Sequence, residues 1–312
     1  MRAGSGEGLS GTLLRSSQGR IRAGWRVLWF FGVALVVTYL TIILLPRSVQ
    51  SGAIAMLTGS LVGGWSALAL DGRSPAALGF YVGAGAARES GLGLALGVLV
   101  ALIVVVVMAL VGGLEWSSEP GSWTGWLVGA VGALAFLALP AAAEEALLRG
   151  YPLQALSEAW GAPVALIVTS VAFGAAHLAN PEVSLLGVVN IGAAGLLLGV
   201  VYLRTGSLWW ATGVHLGWNW AHGYGADLPV SGLEVLDAPL YEGASRGAAW
   251  MGGGAFGPEG SVVTTVVVLA ATLVFWRAPW LQPGSTALAA DPIAALSIDR
   301  ELQDEPSGSK GA

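Results

Sequence analysis

The 312-residue chain has no cysteine. Disulfides, thiolate metal sites and cysteine nucleophiles are therefore excluded, although this says nothing about which compartment the loops face. Charge is almost as scarce. Asp, Glu, Lys and Arg make up 11% of the residues, against roughly 25% in soluble domains. Hydrophobic residues make up 55%, so a soluble globule is excluded. No basic patch suits nucleic acid. The net charge of -5 is uninformative, because many of the acids lie in one loop and the tail. No polar stretch is long enough to hold a separate soluble domain, and the repeats of a transporter built from inverted halves are not visible.

What is present is apolar sequence in blocks. Runs near 25–45, 53–70, 91–114, 123–147, 160–178, 183–203, 207–222 and 261–280 are bounded by charge or turn residues. They predict an all-α, polytopic transmembrane helix bundle of about eight spans, embedded in the lipid bilayer. Residues 1–24 form a basic N-terminal segment (Arg2, Arg15, Arg20, Arg22) and Arg26 follows. The positive-inside rule assigns this end to the cytoplasm. The first run, ending Leu45-Pro46-Arg47, is too long for a cleaved signal peptide and reads as a signal anchor. Residues 25–280 form the bundle, and 281–312 read as a polar, disordered tail. The expected setting is a bacterial plasma membrane. The acidic loop 223–260 suits the outer face.

Glycines recur at four-residue spacing in Gly59/Gly63, Gly93/Gly97, Gly121/Gly125/Gly129 and Gly195/Gly199. Such small-residue faces let helices approach closely in lipid. Trp25, Trp116, Trp123, Trp160 and Trp209 fall near span ends, as an interfacial aromatic belt requires.

A charge at the bilayer centre costs about 2.5 to 3.5 kcal/mol even on the lenient insertion scale, so an ionisable residue inside a run is a functional candidate. Glu144, Glu145 and Arg149 stand together at the end of the fourth run, and the three histidines, His177, His215 and His222, all follow. On a helix Glu145 and Arg149 are an i,i+4 ion pair with the acid first, whereas Glu144 sits about 100° round the axis and is left free. The alternative is a solvated helix end. Phe173 lies one turn before His177 and can pack beside its ring. His215 and Asn219 share one helix face. His222, near a helix end, reads as interfacial, and Asn190 as an interhelical hydrogen bond.

A carboxylate, two imidazoles and an amide without a nucleophilic Ser or Cys suit hydrolysis by activated water. Glu144, His177 and His215 could equally ligate a divalent metal such as zinc with one position open, although the zincin pattern His-Glu-x-x-His is absent. Metal-bound and metal-free mechanisms both remain open. The segment Gly223–Asp227 reads as a loop, not as part of a membrane aspartate pair.

In order along the chain, Glu144-Glu145-x-x-x-Arg149, Phe173-x-x-x-His177 and His215-x-x-x-Asn219 resemble the motifs of the CPBP family, the CAAX protease and bacteriocin-processing intramembrane endopeptidases. The resemblance covers about residues 120–225. It implies that Glu144 activates water, that His177 assists, and that His215 with Asn219 stabilises the oxyanion. Glu145, Arg149 and Phe173 are then structural support, and the substrate is a membrane-associated or prenylated-type peptide or protein. The rival readings are a non-catalytic immunity protein of the same fold and a proton-coupled transporter. Straight spans raise one difficulty: Glu144 falls near the cytoplasmic end of span four and His177 near the outer end of span five. A break at Pro140 or a broken helix lining a water-filled cavity would remove it.

Overall fold

A computed structural model describes Leu14 and residues 21–290 of the chain. The fold is a helical membrane bundle. The helices are α1 (Ala23–Ile42), α2 (Val49–Leu70), α3 (Ala84–Leu110), α4 (Trp123–Glu145), α5 (Tyr151–Trp160), α6 (Ala162–Ala176), α7 (Leu185–Thr205), α8 (Leu208–Trp220) and α9 (Val262–Arg277). Each of the eight apolar runs is helical, but they are unequal. Among the described residues five helices are long and apolar enough to cross a membrane: α1, α2, α3, α7 and one continuous helix, Trp123–Trp160. The apolar helices α6 and α9 are shorter, and α8 has 13 residues, most of them buried.

Helix starts are set by serine. Ser48, Ser122, Ser184, Ser207 and Ser261 each accept a hydrogen bond from a backbone N–H in the first turn of α2, α4, α7, α8 and α9. This satisfies one of the donors that a helix N-terminus leaves unpaired. Glycine makes the tight reversals. Gly161 (φ 83°) separates α5 from α6 and Gly206 (φ 64°) separates α7 from α8, in a region that costs other residues a clash of Cβ with the backbone.

Three of the four glycine faces pack helix on helix. A Cβ on Gly59 or Gly63 would strike the backbone of α1, and one on Gly93 or Gly97 would strike Trp210, Gly213 or Val214 of α8. Gly213 and Gly217 answer from the other side against Ser90, Gly93, Leu94 and Gly97, so α3 and α8 interlock along a seam of paired glycines. Gly195 and Gly199 admit Phe173, Leu166 and the Arg149 guanidinium. The Gly121/Gly125/Gly129 face differs from expectation, because it meets Pro239 of the long loop and Tyr224 of the turn that follows α8. Trp25, Trp116, Trp123 and Trp160 are exposed, whereas Trp209 donates its indole N–H to Tyr81 O (2.8 Å).

The loop is more ordered than a purely helical reading expects. Strands β1 (Leu114–Ser118) and β2 (Tyr241–Ser245) pair antiparallel with Trp116 opposite Gly243. Gly223–Gly225 belongs to a wide, π-type turn, Ala221–Gly225, that extends α8 and is not a loop. Asp227 then caps the backbone N–H groups of Ala238 and Gly243. At the other end, the first part of the expected polar tail forms a short helix, Ser285–Ala289, whose Ala287 is buried and packs with Tyr81. The remainder of that tail, and Arg2, Arg15 and Arg20 of the basic segment, lie outside the described residues.

Candidate active site

Pro140 does not break the fourth span. It sits inside α4, where its ring nitrogen cannot bond to the carbonyl four residues back. That carbonyl, Phe136 O, instead accepts the Gln50 side-chain amide of α2 (2.8 Å), so it is not stranded in the apolar interior. The helix continues through a π-type turn, Ala146–Gly150, into α5. Its 38 residues span about 57 Å at 1.5 Å per residue, against a hydrocarbon core of about 30 Å. Glu144 is thus in the middle of a long helix, not at the end of a short one.

This removes the depth difficulty. Glu144 precedes the Gly161 reversal by 17 residues and His177 follows it by 16, so in an antiparallel hairpin both stand about 25 Å from the turn. The structure brings Glu144 Oε2 to 4.0 Å from His177 Nε2 and to 3.8 Å from His215 Nε2. That oxygen is buried and has no hydrogen-bond partner among the described residues.

The adjacent acid is bonded through one oxygen only, its Oε2 being buried without a partner among the described residues. Glu145 is fully buried and its Oε1 accepts from Arg149 Nη1 (3.1 Å), the expected i,i+4 pair, and from His215 Nδ1 (2.9 Å). Sequence spacing missed this second bond, because it joins residues 70 apart. The only signal for it was a second acid beside the candidate base. Arg149 also donates to Gly195 O (3.2 Å) and lies 4.1 Å above the Phe173 ring. Phe173 is edge-on to both imidazoles, with centroids 4.9 Å from His177 and 5.9 Å from His215. It therefore walls both rings as well as the one expected.

The hydrogen bonds fix the tautomers. His177 Nδ1 lies 2.8 Å from Phe173 O; a carbonyl can only accept, so Nδ1 carries the proton and the neutral ring presents Nε2 as an acceptor. His215 is fixed the same way, its Nδ1 lying 2.9 Å from Glu145 Oε1. Its Nε2 can donate only when the ring carries both protons.

These groups line a cavity of about 390 Å³ together with Asn219. The half-buried Asn219 amide has no protein hydrogen bond among the described residues. The remaining wall is mostly apolar and includes Met56 of α2, Gly97 of α3, Phe136 and Pro140 of α4, and Leu197 of α7. The polar exceptions are Asn180, Ser231 and Glu259. Neither the first spans nor the long loop had been assigned to the site. Asn180 Nδ2 donates to Ser231 O (2.9 Å), and Glu259 accepts from Trp218 Nε1 (2.9 Å) and Ser231 Oγ (2.6 Å). His222 is not interfacial. It is fully buried, edge-on to Trp218 at 4.4 Å, with neither ring nitrogen bonded among the described residues. Asn190 does bridge helices, donating to Glu259 O and Ser261 O (2.8 Å each) and accepting from Thr265.

The expected metal ligands do not form a metal shell as they stand. Neighbouring ligand atoms at about 2.0 Å from a tetrahedral zinc lie roughly 3.3 Å apart, whereas Glu144 Oε2 is 3.8 and 4.0 Å from the two imidazole nitrogens. Among the described residues no group of three or more His, Asp or Glu is arranged to hold a metal ion.

Fold and cavity together define a helical membrane protein with an acid–imidazole site midway along its longest described helix. Residues 98–221 match the family model for Rce1-like proteins, described as type II CAAX prenyl endopeptidase Rce1-like. The match supports the CAAX protease (CPBP) family reading that the three motifs carry, and with it a CAAX-type intramembrane protease. It contains Glu144, His177, His215 and Asn219 and stops short of Ser231 and Glu259. No curated protein and no solved structure matches the chain.

Proposed function

We propose that the protein is a glutamate-dependent intramembrane endopeptidase that hydrolyses a peptide bond of a membrane-associated or prenylated-type peptide or protein. One observation carries the reading. The buried, unpartnered Oε2 of Glu144 faces the Nε2 atoms of two histidines at 3.8 and 4.0 Å. A water molecule in that gap would give its proton to Glu144 as its oxygen attacks the scissile carbonyl carbon, with His177 Nε2 accepting the second water hydrogen as a hydrogen bond. The carbonyl oxygen becomes an oxyanion. It would be met by the free Asn219 amide and by Nε2–H of a doubly protonated His215, whose charge is shared with Glu145. As the carbon–nitrogen bond breaks, the proton held by Glu144 passes to the leaving amine. Glu145 and Arg149 act only through His215 and are positioning residues.

Cleavage of an acylated, dye-labelled peptide by the purified chain in proteoliposomes is the test. Glu144→Gln should abolish it while the protein stays folded, and cleavage that survives the substitution would end the reading. No metal enters these steps. Chelation to zero bound metal should therefore leave the rate unchanged, and a loss that zinc restores would return Glu144, His177 and His215 to the role of ligands.

A further inference from the structure

The long loop doubles back beside the cavity on a tight hairpin. Val230 and Leu233 exchange both backbone hydrogen bonds (3.0 and 2.9 Å) across Ser231 and Gly232, whose φ angles of 51° and 80° suit a two-residue hairpin turn. Three bonds hold the tip. Asn180 Nδ2 donates to Ser231 O (2.9 Å), Ser231 Oγ donates to Glu259 (2.6 Å), and the Gly232 N–H donates to Phe256 O (3.0 Å).

Beyond the turn, residues 234–238 run on with no helix, turn or bend. Their side chains alternate as in a strand. Leu233 and Val235 are exposed and line the same cavity as Glu144, whereas Leu236 packs on the other side, in the cluster of Tyr224 and Trp220. Along a strand the N–H and C=O groups of successive residues point to opposite edges. Those of Leu233 face Val230, so those of Glu234 and Leu236 face outward, and among the described residues none of these four groups is bonded. A preformed strand edge thus runs beside the candidate catalytic acid with its donors and acceptors unpaired.

Peptide hydrolysis needs an extended backbone at the scissile bond. A segment that leaves a membrane helix to become extended strands its own N–H and C=O groups, and a strand edge is the element that can take them up. Resting on the peptidase reading, we infer that residues 234–236 are a substrate-binding edge, to which the peptide flanking the scissile bond adds as a β-strand. It bonds through the backbone of Glu234 and Leu236, and its alternate side chains enter the cavity beside Leu233 and Val235. The ligand is defined by its backbone, an extended peptide with unsubstituted amides on alternate residues. Because the hairpin tip is already fixed by Asn180, Glu259 and Phe256, little ordering of the loop is left to oppose binding. The edge lies outside the segment that matches the family model, residues 98–221.

The test uses the full chain in nanodiscs and one acylated, dye-labelled aliphatic peptide, made again with a single N-methyl group on each amide in turn except the scissile one. N-methylation removes a donor and blocks one edge. The kcat/KM should therefore fall about tenfold, the scale of one lost hydrogen bond, at every second amide and much less between them. Glu234→Pro, which takes a donor from the loop edge, should flatten the alternation. The chain has no cysteine, so Glu234→Cys at this exposed position gives a second measurement: peptides carrying one cysteine should form disulfides with it at residues two apart. A flat methylation profile, an alternation that Glu234→Pro leaves at full strength, or cross-linking at no preferred position overturns the edge. The peptidase reading then stands wherever cleavage depends on Glu144. If no peptide is cleaved, anisotropy binding decides: alternating affinity keeps the edge and removes the peptidase reading, and a flat profile removes both.

Discussion

The long helix α4–α5 carries two polar clusters in an otherwise apolar bundle, and they are built on opposite plans. Near its C-terminal end, Arg26 of α1 grips both oxygens of Asp71 (3.0 Å each) and Glu158 (2.9 Å), and the Tyr151 hydroxyl completes Asp71 (2.7 Å). This cluster ties α1, the end of α2 and α5 together. Its acids are consumed by partners. Two turns nearer the middle, Glu145 Oε1 is held by Arg149 and His215 while its Oε2 stays unbonded, and buried Glu144 Oε2 is unbonded too but faces two imidazoles. Buried polar atoms are normally paired, and of these two orphans only Glu144 Oε2 belongs to a residue that lines the cavity. Pairing within one helix thus separates the residues that hold the bundle from the one poised to act.

The largest test of that separation is Glu144→Gln, which changes a charge and little shape. Loss of a general base should lower peptide cleavage about 10³-fold, or about 4 kcal/mol in the barrier, with the melting temperature unchanged. A Glu144→Gln protein that unfolds early would show that Glu144 belongs to the structural plan after all. Glu145→Ala should do the reverse in the first instance. Removing one partner of a buried pair leaves Arg149 uncompensated and should cost about 3 kcal/mol of stability, read as a lower denaturation midpoint. It also frees the His215 ring, so the surviving folded fraction should be slower. Asn219→Ala, which leaves no protein group unpaired, should reduce kcat by about 10²-fold, roughly 2.7 kcal/mol, with KM and stability unchanged. A change in KM alone would move Asn219 from oxyanion contact to substrate binding.

The sequence made these roles legible to an uneven degree. Helices, glycine seams and the Glu145–Arg149 pair follow from periodicity, because each depends on residues three or four apart. The gathering of Glu144, His177, His215 and Asn219 was also readable, since few polar groups stand inside apolar runs. The depth of the site was not. It depended on α4 running through Pro140 and the π-type turn to Trp160, and so on a Gln50–Phe136 hydrogen bond between residues 86 apart. The Glu145–His215 bond, the buried state of His222 and the share of Ser231 and Glu259 in the cavity wall were hidden for the same reason. Each is a contact between distant segments, and a loop that looks merely polar in sequence gives no sign that it folds back over the helices. The β1–β2 ribbon is of this kind too: neither five-residue segment announces its partner.

Tyr151→Phe sharpens the comparison from its quiet side. The hydroxyl bonds Asp71 Oδ2 and the ring stacks on Phe30 at 6.1 Å, so the substitution keeps the packing and removes one hydrogen bond. Asp71 Oδ2 keeps Arg26 as a partner, and no acceptor is left bare. The expected loss is therefore at the level of a single hydrogen bond, about 1 kcal/mol, measured as a small drop in denaturation midpoint. Peptide cleavage per folded molecule should not change, even though Tyr151 lies only two residues from Arg149. A drop in kcat comparable to that of Asn219→Ala would mean that the two clusters communicate along the helix, and the division between holding and acting would have to be redrawn.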